Sequence, residues 1–184
     1  MTKLWEKGTE FDKKIENFTV GNDTDLDQIL IPYDCEASIA HVNMLNKMDY
    51  LNNDESQKLI DELNFISKES KKGNFNILKS QEDCHTAIED HLIKTCGDSG
   101  EKIHTARSRN DQVLTALRLY YRDSIENIQK LLNDLASGLE AFSNKNGEIE
   151  FPGYTHMQKA MPSSIKLWSK AYIEAINDDK ILLQ

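Results

Sequence analysis

The sequence predicts an all-α fold, in which a helical N-terminal domain leads into the first long helices of a helical bundle. The 184 residues include only three prolines and eight glycines, and no stretch alternates apolar and polar residues as a half-buried strand does. Apolar residues recur instead at helical spacing. One such stretch, residues 112–142, has so wide an apolar face that it needs partner helices around it.

Helices are also predicted before this long one, at residues 32–50, 52–73 and 80–97. Pro32 suits the first turn of a helix. Ser80, with Asp83 three residues later, resembles a capping box at a helix start. Gly73 and Gly97 are residues that commonly end helices. The N-terminal half is therefore expected to be a small helical domain.

The helix predicted at 80–97 carries Cys84, His85, His91 and Cys96, which suggests a metal site as one interpretation. Zinc ligands must converge tetrahedrally. Adjacent residues such as Cys84 and His85 diverge by about 100° on a helix. Both cysteines also belong to the apolar stripe of this helix. We therefore predict that the cysteines are core residues, that the histidines lie on the polar face, and that no metal is bound.

Residues 101–113 place a dense set of hydrogen-bonding groups just before the long helix. Arginine forks match a carboxylate bidentately. A helix N-terminus adds unpaired N–H groups and a field that favours anions. The stretch predicts a site for a carboxylate-bearing small molecule, and the alternative is a polar loop with a solvated helix cap. The side chains concerned are His104, Thr105, Arg107, Ser108, Arg109 and Asn110.

A second dense stretch, residues 151–162, follows the long helix. Pro152-Gly153 predicts a turn. Pro162 is expected to open a last helix, 163–184. The chain ends at Gln184 inside the apolar pattern of that helix, without a capping residue, so the sequence predicts a truncated chain.

Composition narrows the classes of partner and the location. A net charge of −9 and a pI of about 5.0 argue against a nucleic-acid partner. Three cysteines without a disulfide framework indicate a reducing compartment. The N-terminus has no secretory apolar segment, and no apolar run approaches the roughly 18 residues of a membrane span. We expect a cytoplasmic protein without a membrane partner.

Both dense stretches resemble sequence blocks of argininosuccinate lyases. His104-Thr-Ala-Arg-Ser-Arg-Asn-Asp-Gln-Val113 is similar to their His-Thr-Gly-Arg-Ser-Arg-Asn-Asp-Gln-Val block, and Pro152-Gly-Tyr-Thr-His-Met-Gln158 to their Pro-Gly-Tyr-Thr-His-Leu-Gln block. Leu4-Trp5 and Glu82-Asp83-Cys84-His85 also fit, so the resemblance covers almost the whole chain. Fumarases, aspartases and adenylosuccinate lyases share the fold and the chemistry, but the Arg-Ser-Arg-Asn run favours argininosuccinate lyase.

The resemblance implies a β-elimination that converts argininosuccinate into arginine and fumarate without a cofactor or a metal. It also implies a homotetramer, in which each active site draws residues from three subunits. Residues 1–108 are then the N-terminal lyase domain, and 109–184 are the start of the central bundle. His156 matches the family's acid/base histidine. The substrate-binding candidates are Ser108, Arg109, Asn110, Thr155, Arg107, His104 and Gln158.

The chain departs from the family pattern at one position and in its extent. Ala106 replaces a glycine, which costs on the order of 1 kcal/mol if the position needs a positive φ. The serine-bearing loop, which carries the family's catalytic serine ahead of a Met-Pro-x-Lys-x-Asn-Pro run, is absent from the 184 residues. The alternatives are therefore an inactive helical fragment that acts only in binding or helix association, and another fumarate-releasing lyase such as adenylosuccinate lyase or aspartase.

Overall fold

The computed structural model describes residues 14, 15, 18, 21–78 and 80–184, and Leu4-Trp5 lies outside these residues. The chain divides into two compact units, Met1–Tyr120 and Tyr121–Gln184. The boundary expected from the sequence, between residues 108 and 109, stays a prediction. Each unit is described by itself below.

The described part of the first unit is helical, in agreement with the predicted fold class. The long helix α6 begins in this unit and continues in the second. The elements are α1 (Asp23–Asp27), a 3-10 turn (Gln28–Leu30), α2 (Ile31–Lys47), α3 (Asn53–Lys71), α4 (Cys84–Cys96), α5 (Asp98–Glu101), a second 3-10 turn (Lys102–His104) and α6 (Arg109–Asn146).

Helix α3 is bounded by the residues that the sequence predicts. Asn52 and Glu55 form a capping box, because the Asn52 side chain accepts a hydrogen bond from the Glu55 amide at 2.8 Å and Glu55 accepts one from the Asn52 amide at 3.0 Å. Gly73 follows the helix with a φ of 76°, which glycine adopts without a steric penalty. Local chemistry therefore determines both ends of this helix.

The start predicted for α4 at Ser80 is wrong. The helix begins at Cys84, and the preceding Asp83 is its N-cap, with a side chain that accepts a hydrogen bond from the Thr86 amide at 2.7 Å. The predicted end is confirmed, since Gly97 is the C-cap with a φ of 63°. Asp83 thus caps the helix from outside instead of belonging to its first turn.

The core of the first unit lies between α2, α3 and α4. The prediction that the cysteines are core residues is confirmed, and all three are free thiols. His85 corrects the prediction of a polar-face histidine, because it is 1% exposed. The buried apolar side chains include Ile31, Cys35, Val42, Leu45, Leu59, Leu63, Ile66, Cys84, Ile88, Leu92 and Cys96.

The second unit contains a β-hairpin that the sequence did not predict. Strand β1 (Glu150–Thr155) pairs antiparallel with β2 (Gln158–Ser164), and α7 (Ile165–Leu182) follows. Pro152 lies opposite Pro162 in this hairpin. Both strands are largely exposed, so no buried face imposes an alternating pattern on the sequence.

Pro162 therefore does not open the last helix, as predicted. Helix α7 begins at Ile165 instead, because Ser164 caps it by accepting a hydrogen bond from the Leu167 amide at 3.2 Å. Within the described ranges, no helix combines the length and apolar character that a membrane crossing requires.

Candidate active site

The turn between the second 3-10 turn and α6 reverses the chain sharply. The Thr105 amide donates to the Lys102 carbonyl at 3.0 Å, and the Arg107 amide donates to the His104 carbonyl at 3.2 Å. Between them Ala106 has a φ of 57°. This is the left-handed conformation that glycine adopts freely, and it costs an alanine about 1 kcal/mol.

Two reciprocal hydrogen bonds between Ser108 and Asp111 cap the N-terminus of α6. The Ser108 amide donates to the Asp111 carboxylate at 2.8 Å, and the Asp111 amide lies 3.4 Å from the Ser108 hydroxyl, which accepts its hydrogen bond. The hydrogen bond from the Ser108 amide lowers the pKa of Asp111 below its ordinary value. Asn110, the neighbouring predicted ligand, is exposed.

The guanidinium of Arg109 is held against helix α4 by two carboxylates. Its Nε lies 3.4 Å from Oδ2 of Asp83, and its Nη1 lies 3.6 Å from Oε1 of Glu89. Nη2 also donates to the Thr86 hydroxyl at 3.3 Å, and Nη1 donates to the Gln112 side chain at 3.1 Å. With 26% of its side chain exposed, Arg109 is an oriented cation at the surface of the first unit.

A cavity of about 350 Å³ adjoins this cluster and is lined in part by Glu89, His104 and Arg109. The His104 Nδ1 lies 3.2 Å from the Glu89 Oε1. The wall therefore combines a fixed cation with a carboxylate. Such a pair suits a small ligand that carries charges of both signs.

Arg107, the other arginine of the predicted anion site, is directed toward α2. Its Nη1 donates to the Ser38 hydroxyl at 3.1 Å. Burial lowers the pKa of Arg107 from its ordinary value, and the charge of Asp34 partly opposes this shift. Arg107 also lines a second cavity, of about 400 Å³, together with His41 and Asp111.

The remaining predicted residues lie at the tip of the hairpin in the second unit. Thr155 pairs with Gln158 across a two-residue turn, in which His156 has a φ of 48° and Met157 a φ of 63°. Turns of this kind favour asparagine and glycine, because both central residues are left-handed. A histidine held there is exposed, and strained backbone of this kind is found at functional sites.

The structure thus brings the predicted residues together in two sets. His104, Arg107, Ser108, Arg109 and Asn110 share the start of α6 in the first unit, and Thr155, His156 and Gln158 share the hairpin tip in the second. Sequence reasoning missed Asp83 and Glu89 as partners of Arg109. The Glu82-Asp83-Cys84-His85 segment was the available signal for Asp83, because it too resembles the family pattern, and no such signal pointed to Glu89.

Cys35 and Cys84 offer no reactive thiol to this site. Burial raises the pKa of the Cys35 and Cys84 thiols far above their ordinary value, and the charge of Asp34 raises both further. Among the described residues, no three histidine, cysteine, aspartate or glutamate side chains are grouped so that they could hold a metal ion.

Residues 3–184 match the model of the protein family described as Lyase, and the chain belongs to this family of lyases. Argininosuccinate lyase from Thermotoga neapolitana is 47% identical over 182 residues, which are 99% of this chain and 46% of that protein. Argininosuccinate lyase from Parabacteroides distasonis is 42% identical over 182 residues, which are 99% of this chain and 41% of that protein. The chain therefore spans less than half the length of these relatives.

Solved structures of lyases share the fold. EDDS lyase in complex with formate has a TM-score of 0.71 at 21% sequence identity, over 86% of this chain and 31% of that one. Fumarate lyase:delta crystallin from Brucella melitensis has a TM-score of 0.73 at 18% identity, over 91% of this chain and 42% of that one. The predicted helical lyase fold is confirmed.

Proposed function

We propose that this chain supplies part of the active site of an argininosuccinate lyase, which eliminates fumarate from argininosuccinate and releases arginine. One observation carries the proposal. Within a chain 47% identical to an argininosuccinate lyase, the predicted anion-binding stretch begins a long helix, and its Arg109 is oriented by Asp83 and Glu89.

The chemistry requires a group that accepts a proton from the succinyl carbon next to a carboxylate. We assign this role to His156, because histidine exchanges protons near neutral pH. Its left-handed backbone at an exposed hairpin tip supports the assignment, since the turn presents the imidazole outward. As the proton leaves, its electron pair is delocalised onto the carboxylate. That pair then forms the C=C bond of fumarate while the C–N bond breaks, and the leaving nitrogen keeps the C–N electron pair and takes a proton from a general acid.

The carboxylate that gains charge during this step needs fixed donors. We assign Ser108, Arg109, Asn110 and Thr155 to substrate binding, with His104, Arg107 and Gln158 as further candidates. Argininosuccinate carries carboxylates and a guanidinium. The Arg109 and Glu89 charges beside the cavity of about 350 Å³ match this mixture of signs.

We further propose that the complete protein is a homotetramer in the cytoplasm. Exposed apolar side chains on α6 and α7 support helix association between copies, for example Leu131, Leu135, Leu167 and Ile181. Three buried free cysteines favour a reducing compartment. The acidic net charge of −9 argues against a nucleic-acid partner.

The decisive experiment reads the coding sequence past residue 184 and assays the protein that the complete reading frame encodes. Fumarate release is followed with argininosuccinate, adenylosuccinate or aspartate as substrate. Release from argininosuccinate is the expected result. Release from one of the other two substrates alone would reassign the chain to a different lyase, and no release from any of them would contradict the lyase function.

His156→Asn tests the role of the histidine with little change to the turn, because asparagine tolerates the left-handed conformation. Turnover should fall by about 10²-fold or more if His156 transfers the proton. The matched control is Met157→Asn, which makes the same replacement at the adjacent left-handed position and should retain activity. Unchanged turnover in His156→Asn would remove His156 from the mechanism.

A binding role without catalysis is the second candidate for the 184 residues taken alone. The exposed apolar side chains of α6 and α7 favour it. Light scattering should then detect self-association of the chain without any fumarate release. A compact, stable monomer, or measurable lyase activity from the chain alone, would contradict this second candidate.

A further inference from the structure

Asp34 and His85 face each other inside the core of the first unit. The Asp34 Oδ2 lies 3.2 Å from the His85 Nδ1, and the two side chains are 1% and 2% exposed. Neither Asp34 oxygen has a well-aligned hydrogen-bond partner among the described residues. Burying polar groups without well-aligned hydrogen bonds costs more desolvation energy than burying apolar side chains of the same size, so stability alone does not account for this pair.

Asp34 belongs to a polar row along α2. Asp34, Ser38 and His41 are spaced four and three residues apart, which places them on one face of the helix. Ser38 accepts a hydrogen bond from Arg107 Nη1 at 3.1 Å, and the His41 Nε2 lies 3.0 Å from the Thr105 carbonyl oxygen. Two members of the row therefore hold the turn that precedes α6.

Asp34, the third member of the row, contacts the helix that carries the partners of Arg109, which is α4. His85 lies in the first turn of α4 between Asp83 and Thr86, which are both partners of the Arg109 guanidinium. Asp34 is thus linked through His85 to the carboxylate side of the cluster. Its charge also favours the charged form of Arg107, whose backbone leads directly into Ser108 and Arg109.

We propose that Asp34 is a positioning residue. Through His85 it holds the start of α4, and together with the Ser38–Arg107 contact it holds the turn before α6. These two elements then orient Arg109 for the substrate carboxylate. This inference rests on the proposed lyase function. It concerns a residue that lies within the protein core and does not contact the substrate. A buried charge that tolerates one arrangement of its partners selects that arrangement over others.

The test compares Asp34→Asn with Glu62→Gln in the protein that the complete reading frame encodes. Glu62 is a matched control, because its carboxylate pairs with His91 between α3 and α4 at 2.8 Å, and among the described residues it has no hydrogen bond or ion pair to the turn before α6. Hydrogen–deuterium exchange is measured by mass spectrometry. Asp34→Asn should accelerate amide exchange at residues 103–112 by about tenfold or more, and Glu62→Gln should leave that segment unchanged.

Exchange across α3 separates local from global effects, since it should stay unchanged in Asp34→Asn. Ser38→Ala is the second variant, and it removes only the hydroxyl that contacts Arg107. If Asp34→Asn fails to fold, accelerated exchange at residues 103–112 in Ser38→Ala carries the test. If exchange at residues 103–112 is unchanged in both Asp34→Asn and Ser38→Ala, or in whichever of them folds, the positioning role is overturned, whatever the enzyme activity.

Kinetics on the same variants separates this inference from the proposed function. A lower kcat for fumarate release in Asp34→Asn, with Glu62→Gln unaffected, is the expected result. Accelerated exchange with unchanged kcat and KM overturns the positioning role and leaves the lyase function intact. An unaltered protein that releases no fumarate overturns the lyase function itself, while the exchange measurement still decides whether Asp34 holds the turn.

Discussion

The carboxylate of Asp83 lies 3.4 Å from Nε of Arg109, and this contact joins the start of α4 to the start of α6. The same carboxylate caps α4 by accepting a hydrogen bond from the Thr86 amide at 2.7 Å. One short side chain therefore both begins a helix and orients the cation of the candidate site.

The two roles of Asp83 can be separated by two substitutions. Asp83→Asn keeps a good N-cap and loses the ion pair, which is partly exposed and should cost less than about 1 kcal/mol of unfolding free energy. Asp83→Ala loses both and should cost about 1–2 kcal/mol. Urea denaturation measures the difference. Equal losses in the two variants would show that the cap contributes nothing.

Ala106 stores strain that glycine would release. Because its φ is 57°, Ala106→Gly should raise the unfolding free energy by about 1 kcal/mol. Ala40→Gly is the matched control, since Ala40 is exposed within α2 and the same substitution there should lower the unfolding free energy by about 1 kcal/mol. Thermal or urea unfolding measures the change in unfolding free energy for both variants. Destabilisation by Ala106→Gly would contradict the prediction.

Gly100 permits α5 to approach the backbone of α4. A Cβ at this position would lie 2.4 Å from the carbonyl oxygen of Leu92, so Gly100→Ala should cost about 1–3 kcal/mol of unfolding free energy. At Gly138, within α6, a Cβ meets nothing within 4 Å, and Gly138→Ala should stabilise by about 0.5–1 kcal/mol. Chemical denaturation of both variants tests the pair, and tolerance of alanine at position 100 would refute the close approach.

His41 should make the stability of the first unit depend on pH. Burial, followed by the charge of Arg107, lowers the pKa of His41 from its ordinary value of 6.5. The unfolded chain therefore takes up the proton first, and the unfolding free energy decreases as pH falls below 6.5 toward the lower pKa of the folded state.

His41→Gln removes the titrating group and can still donate to the Thr105 carbonyl. Its unfolding free energy should lose this pH dependence, while remaining close to that of the unaltered protein above pH 6.5. Urea midpoints measured across this range compare the two proteins. A slope that survives the substitution would assign the pH dependence to other groups.

Much of the helical architecture could be predicted because its signals are local. The Asn52–Glu55 capping box and the glycines at 73 and 97 mark helix ends through contacts a few residues apart. The start of α4 was misplaced because Ser80 and Asp83 both suit a helix start. The hairpin was missed because its exposed strands have no buried face and therefore no alternating pattern. Pro152 instead predicted a turn and Pro162 a helix start, although the two residues lie opposite each other in the hairpin.

The sequence alone determined the lyase family, the helical class and the residues of both dense stretches, because these depend on residue order and on periodicity along the chain. Tertiary structure alone decided which charges meet. Asp83 and Glu89 reach Arg109 from a different helix, and Asp34 pairs with a histidine far along the chain that the sequence had placed on a polar face. Such pairings depend on how helices pack, and no local pattern of residues encodes that packing.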